Sequence, residues 1–243
     1  MPVEELIESA ASLRDEADRL ADGIIADGSV EVIYNPLRYA WDVHAEYVRR
    51  AGVGGAKTIL LGMNPGPHGM GQMGIPFAAT TVVRELLGIS GIEVSDPVIQ
   101  HPRRPINGLF HPKEEVSGTR LWGALEEKYG SGQSIFRNVF VVNHCPLMFF
   151  SGPSATNITP DKVRGRVVKR LLGRCDRHLV EVVESLGAER VIGVGRYARS
   201  RAERALSELS IEIRSCWHPS PASPLANKNG GADWRANFFS VLP

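Results

Sequence analysis

Four short apolar runs limit what this chain can become: TILLGM (58–63), VFVVN (139–143), RVIGVG (190–195) and IEIRSCW (211–217). Each is short for a buried helix, and their Val and Ile favour extended backbone. Between them lie segments whose apolar residues recur three and four apart, the period of a helix. Short buried strands alternating with helices require a parallel sheet covered on both faces. The expected fold class is therefore α/β, a single-domain three-layer αβα sandwich around a central four-stranded parallel sheet. In such a sheet the strand carboxyl ends share one edge, where open α/β folds bind ligands. Each run ends there in a marked loop: Asn64-Pro65-Gly66-Pro67, Asn143-His144-Cys145-Pro146, Gly193-Val194-Gly195-Arg196 and His218-Pro219-Ser220-Pro221. Asn64 is either part of an ordinary turn, since Asn, Pro and Gly are turn formers, or a polar group held at the mouth of the sheet. The convergence of four such loops favours the second.

The helical segments follow from the same periodicity. Residues 3–25 form an amphipathic helix, with Val3, Leu6, Ile7, Ala10, Leu13, Ala17, Leu20, Ala21 and Ile24 on its apolar side. Further helices are expected over 41–52, 79–88, 117–129, 160–172, 175–186, 196–209 and 233–242, with Gly88 and Gly187 as stops. The stretch from Ser90 to Ser117 is rich in Pro, Gly and charge and reads as an excursion with little regular structure. No repeat or low-complexity linker divides the chain. Residues 1–243 are read as one domain, with the N-terminal helix (1–30) packed on it.

Composition removes several function classes. No apolar run approaches the roughly 18 residues of a membrane span. The N-terminus is acidic and helical, unlike a secretory or transit peptide. Three cysteines, Cys145, Cys175 and Cys216, are too few for a disulfide framework and point to a reducing, intracellular compartment, cytoplasmic in a bacterium or nuclear in a eukaryote. A formal net charge of +1 does not announce nucleic-acid binding, so any such site is a local patch. His144, His178 and His218 accompany the cysteines, but no C-x-x-C pair exists, and a cubane cluster commonly uses four thiolates. Packed thiols and no metal are expected. Ser220 neighbours His218 without a G-x-S-x-G elbow, and GVGGAK (52–57) precedes its strand, the wrong order for a phosphate loop. One rival survives. Gly193-Val194-Gly195 follows a strand and opens a helix, with Glu212 19 residues beyond Gly193, an approximation to a dinucleotide fingerprint. Glu212, however, falls near the start of the next strand instead of its end. A milder reading has the amides at the start of that helix, by Gly195 and Arg196, gripping a DNA phosphate.

LLGMNPGPHGMGQMGIPF (60–77) and WHPSPASPLANKN (217–229) resemble the two active-site motifs of single-strand-selective monofunctional uracil-DNA glycosylases. QHPRRPINGL, EVSGTRLWG and VVNHCPLMFF, lying between them, also resemble that family, so the resemblance runs from about residue 58 to 229. The G-x-N-P-G turn alone would fit the mismatch-specific uracil glycosylases equally well; His218-Pro219-Ser220-Pro221 favours the first family.

The resemblance implies a cofactor-free, monofunctional base-excision repair enzyme. It would act as a monomer on uracil in single- and double-stranded DNA, with 5-hydroxymethyluracil as a further candidate base; nothing in the sequence excludes a second activity on a deaminated purine such as xanthine. By resemblance, Asn64 holds the attacking water and His218 donates to uracil O2 as negative charge gathers there. Asn143 reads the uracil edge, Phe77 stacks on the flipped base, and Gly66 and Met70 line the C5 side by their backbone. A side-chain amide offers N–H to O4 and C=O to N3–H, which suits uracil and opposes the amino group of cytosine. Gly195, Arg196, Ser220, Ala222, Ser223, Leu225 and Lys228 are the expected DNA contacts, with Asn227 a further candidate. At one place the chain departs from the family. Vertebrate members carry an Arg after H-P-S-P that wedges into the duplex, where this chain has Ala222. Leu225 is the remaining wedge candidate. The alternatives are a mismatch-type or deaminated-purine glycosylase of the same superfamily, a dinucleotide-dependent enzyme, and a catalytically silent DNA-damage binder.

Overall fold

A computed structural model, described over residues 2–243, resolves the apolar runs into strands of one sheet. The seven strands in chain order are β1 (Val32–Tyr34), β2 (Thr58–Gly62), β3 (Val139–Asn143), β4 (Met148–Ser151), β5 (Thr156–Ile158), β6 (Arg190–Val194) and β7 (Glu212–Cys216). The main sheet has the order β3-β2-β6-β7 and is parallel throughout. All five residues of β2 and of β3 are buried, as expected of central strands covered on both faces. The chain leaves β2 for one neighbour, β3, and later returns to the other, β6. That reversal of order is the position where open α/β sheets form a crevice at the strand carboxyl ends.

The helices are α1 (Pro2–Ala26), α2 (Pro36–Tyr39), α3 (Trp41–Val53), α4 (Met70–Met73), α5 (Val116–Tyr129), α6 (Gly132–Asn138), α7 (Arg166–Leu186), α8 (Arg196–Ala205), α9 (Pro224–Asn227) and α10 (Ala232–Phe239). The core joins β2, β3 and β6 to helix faces carrying Val43, Tyr47, Trp122, Leu125, Val182 and Phe238. The N-terminal helix α1 packs along α7 and against α3.

Three expectations need correction. The two helices expected at 160–172 and 175–186 are one, α7. Gly173 sits mid-helix with open space where a Cβ would stand, and the apolar face Leu171, Cys175, Leu179, Val182 outweighs its propensity cost of about 1 kcal/mol. The helix expected at 79–88 shrinks to a turn and the π-helical Val82–Leu86. Strands β1, β4 and β5 were not anticipated. They form a separate antiparallel sheet, order β1-β4-β5, and at three or four residues each they are too short to show a period.

Helix α5 closes on the site-bearing loops through Gly118. A Cβ there would lie 2.1 Å from the Phe77 carbonyl oxygen and 2.8 Å from that of Ala78. Both are backbone atoms and cannot swing aside. Gly118→Ala is expected to destabilise the fold by about 1–3 kcal/mol, as overpacking does, and urea unfolding measures it.

Candidate active site

The parallel register decides which side chains meet. Gly62 at the end of β2 lies opposite Asn143 at the end of β3. On the far side, Val194 of β6 lies opposite Cys216 of β7, two residues before His218. A pocket of about 80 Å³ opens at this edge, lined by Met63, Asn64, Gly66, Met70, Phe77, Glu115, Ser117, Asn143 and His218. The two expected catalytic residues and all four expected base-contacting residues therefore share one cavity.

Asn64 is held by its amide nitrogen, which donates to the Leu147 carbonyl at 3.2 Å. A carbonyl only accepts, so this bond fixes which end of the amide is which. The Asn64 Oδ1 is left as a free acceptor. Asn143 is 6 % exposed; its Nδ2 donates to the Met70 thioether at 3.1 Å, and its Oδ1 is buried without a partner. An orphaned buried acceptor is costly and requires an explanation. A ligand N–H in the pocket supplies one. The residue after it, His144, is fully buried, bonded to the Tyr197 hydroxyl at 3.1 Å and to the Asp176 carboxylate at 2.9 Å. That network ties the β3 end to α7 and α8.

His218 shows its protonation state through its neighbours. The Ser220 backbone N–H donates to its Nδ1 at 3.1 Å, so Nδ1 is an acceptor and the proton resides on Nε2. Burial pushes its pKa below the ordinary value. A neutral ring with Nε2–H available is the result. The Phe77 ring lies 5.9 Å from the His218 ring, tilted by 41°. Phe77 has φ +54°, a left-handed conformation that a bulky residue rarely adopts. Its backbone is held from above by Gly118 and by the Trp122 indole, which donates to the Pro76 carbonyl at 3.3 Å.

Three pocket residues escaped individual notice in the sequence, Met63, Glu115 and Ser117, and so did Gly62 beside them. A Cβ on Gly62 would stand 2.0 Å from Asn143 Oδ1 and 2.6 Å from the Phe77 ring, so only glycine leaves both in place. The glycine ending an otherwise apolar run was the available signal. Glu115 precedes α5, and burial raises its carboxyl pKa while the donors of Ser117 and His68 and the charge of Lys113 oppose the rise.

The expected DNA contacts divide. Ala222 and Leu225 are exposed, and Arg196 is exposed at the first position of α8. Ser220 Oγ accepts the Ala222 N–H at 3.2 Å, shaping the turn, and Ser223 is half-buried. Lys228 is exposed beside Asp233 at 3.5 Å. Two expectations change. Gly195 cannot offer its N–H to a phosphate, because that group donates to the Cys216 carbonyl at 2.9 Å. The position instead gives His218 room, since a Cβ at residue 195 would be 3.3 Å from the His218 Cβ. Asn227 stays exposed, but its side chain is engaged, accepting from Arg120 at 3.0 Å and donating to the Pro221 carbonyl at 2.7 Å. The dinucleotide reading weakens further, because the Glu212 carboxylate is engaged by Arg190 and Arg214, each at 2.5 Å. Among the described residues, no three His, Cys, Asp or Glu side chains come together as a metal site requires.

Comparison with known proteins places this geometry. No protein-family model matches the chain. The chain is 47% identical over 218 residues to the single-strand selective monofunctional uracil-DNA glycosylase of Rattus norvegicus, covering 88% of this chain and 78% of the relative. The Bos taurus and Mus musculus proteins of the same description are 44% and 46% identical over 218 residues, again covering 88% of this chain and 79% and 77% of the relatives. The chain belongs to the single-strand-selective monofunctional uracil-DNA glycosylase family. Among solved structures, wild-type SMUG2 of Pedobacter heparinus superposes with a TM-score of 0.59 at 15% identity over 86% of each chain, a likeness of fold. Membership of this glycosylase family accounts for the four-stranded parallel sheet, flanked by helices, that carries the pocket.

The tautomer of His218 is directly measurable. Nitrogen-15 chemical shifts are expected to report a neutral ring protonated on Nε2 at neutral pH, with a titration midpoint below 6.5 because burial disfavours the cation. An imidazolium signal at pH 7 would contradict this.

Proposed function

We infer that the chain is a monofunctional uracil-DNA glycosylase of base-excision repair, hydrolysing the N-glycosidic bond with Asn64 and His218 as its catalytic pair. The observation that carries the assignment of roles is the fixed Asn64 amide, whose nitrogen is bound to Leu147 and whose oxygen remains free in a pocket shared with a neutral His218. A base inside a duplex is out of reach, so the target nucleotide is first flipped into the pocket. Phe77 covers its face. Asn143 Oδ1 accepts N3–H, and its Nδ2 exchanges the Met70 thioether for O4. Cytosine would set its amino group against the Asn143 N–H and a bare N3 against Oδ1.

As the C1′–N1 bond breaks, the electron pair leaves with the base and the sugar becomes cationic. The His218 Nε2–H donates to O2 as that anion forms. Stabilising charge where it develops is the strongest lever available to such a site. Asn64 Oδ1 accepts from a water and aims it at C1′. An amide is a poor base, but the sugar cation is a strong electrophile and needs positioning more than activation. The water oxygen bonds to C1′, and its proton passes to solvent. Gly66 and Met70 border the C5 side, the region that governs whether 5-hydroxymethyluracil is accepted. Xanthine is a further candidate base.

The test is single-turnover release of uracil from a single-stranded oligonucleotide. Asn64→Ala and His218→Ala are each expected to slow it on the order of 10²-fold or more while the protein stays folded. Near-parental rates in both would sink the roles, and no release by the parent would leave a damage binder.

Strand preference turns on residue 222. Flipping from duplex costs a few kcal/mol in stacking and pairing that a wedge side chain offsets by filling the gap. Ala222 is exposed but too small, which leaves Leu225 of α9, 45% exposed. A U·A pair is expected to be a poorer substrate than a U·G mismatch or a single strand. Ala222→Arg should help U·A most, and its gain should shrink as salt rises. Single-turnover rates on the three substrates at two salt concentrations decide; an equal effect on all three would remove residue 222 from the duplex.

A further inference from the structure

The turn that carries Asn64 is clasped from outside by a residue to which no role has been given. Gly66 and Gly69 both lie against Glu115. A Cβ on Gly66 would stand 2.9 Å from the Glu115 Oε2, and one on Gly69 would stand 3.1 Å from its Cγ. These glycines let the acidic side chain lie along the turn. The backbone N–H of His68 from that turn, and the N–H and hydroxyl of Ser117 from the first turn of α5, face the carboxylate and favour its ionised form. All these partners are donors, so they suit an ionised carboxylate and oppose a protonated one. Within the turn the Gly66 carbonyl accepts from Gly69 at 3.2 Å and from Gly71 at 2.9 Å, Asn64 Nδ2 reaches the Pro65 carbonyl at 3.5 Å, and Gln72 Nε2 donates to the Pro67 carbonyl at 2.9 Å. Beyond those bonds, α5 is anchored by the Gly118 and Trp122 contacts to the Pro76–Ala78 backbone.

We propose that Glu115 is a positioning residue for Asn64: its carboxylate ties the Asn64–Gly69 turn to α5 and so holds the water-orienting amide in register with the pocket. The inference rests on the catalytic role assigned to Asn64. Glu115 acts through Asn64 and takes no proton from the reacting groups. Its protonation would turn an O–H toward a donor and slacken the turn. Release should therefore slow as pH falls through the Glu115 pKa, which burial lifts above the usual 4.5. The other titratable groups around it are accounted for. His68, pushed down to about 4 by burial, pairs with His111 at 3.0 Å, and the pKa of His111 is also lowered. His218 across the pocket is lowered by burial, Lys113 supplies positive charge from the same segment, and Glu114 faces away onto Thr81 at 2.7 Å.

A double-mutant cycle tests this on the full-length protein, with single-turnover uracil release from a single-stranded oligonucleotide between pH 4.5 and 8. Glu115→Gln keeps the shape but sets an N–H₂ against a donor. It is expected to slow release roughly 10-fold at neutral pH, the effect of one lost charge-assisted bond, and to abolish the acid fall-off seen in the parent. In the Asn64→Ala background the same substitution should cost less than about 2-fold, because the group it positions is gone. Ser117→Ala removes one donor and leaves the carboxylate; a smaller loss with the same dependence on Asn64 is expected, which keeps the test open if Glu115→Gln folds poorly. A full 10-fold loss in the Asn64→Ala background, or an acid fall-off retained in Glu115→Gln, overturns the proposal alone. A parental rate in Asn64→Ala overturns the assignment of Asn64 and this proposal with it.

Discussion

The parallel pairing of β2 with β3 on one side and β6 on the other is the constraint on which the rest depends. Parallel strands deliver all their carboxyl ends to one edge, and register fixes which residues arrive together. Because Gly62 is opposite Asn143, the next residues of β2 leave the sheet beside the base-reading amide. Slipping the register by one residue would reverse every side chain of a strand buried on both faces. Site geometry and core packing are thus the same fact. Gly62 shows it most sharply, since the smallest side chain in the sheet is required by both an amide oxygen and an aromatic ring.

The site gathers neutral groups around a reaction that generates charge. Asn64 and Asn143 carry none, and burial holds His218 neutral. An imidazolium here would be expensive to bury, whereas a neutral N–H costs little in the ground state and strengthens only as the base becomes an anion. Of the residues that line the pocket, Glu115 alone carries a charge. Glu115 is braced by donors, and Asp176 is paired with Arg201 at 2.6 Å beneath the His144 that follows Asn143. On this reading the ionised groups fix loops, and the uncharged ones face the base.

Much of this was readable before any coordinates. The four strands of the main sheet were visible because short apolar runs between glycine and polar punctuation leave few alternatives, although only β2 and β3 are buried along their whole length. The candidate site motifs were visible because four marked loops fall at strand carboxyl ends and two of them resemble those of a known family. What escaped depended on tertiary context. β4 pairs with β1 more than a hundred residues away, and neither is long enough to show a period. Gly173 carries the same local signal as a helix stop, and only the face it shares with Cys175 and Leu179 overrules it. Glu115 opened the EVSGTRLWG segment without a role of its own. Its importance comes from Gly66 and Gly69, some fifty residues earlier, which have no side chains to announce contact.

The two proposed catalytic residues, Asn64 and His218, are secured by different means, and α5 with the residue before it serves both. Toward Asn64 it presents Glu115. Toward His218 it presents Arg120, which donates to the Pro219 carbonyl at 3.0 Å and to Asn227 Oδ1 at 3.0 Å. Asn227 in turn binds the Pro221 carbonyl, so one guanidinium and one amide close the loop that runs from His218 past Ala222. A guanidinium suits this task because its charge persists at every working pH and its donors form a rigid fork. A carboxylate titrates. The turn of Asn64 therefore has a brace that acid can neutralise, while the brace on the loop of His218 keeps its charge. On the proposed roles, the water-positioning turn is braced by a group that titrates and the loop of the leaving-group donor by one that does not.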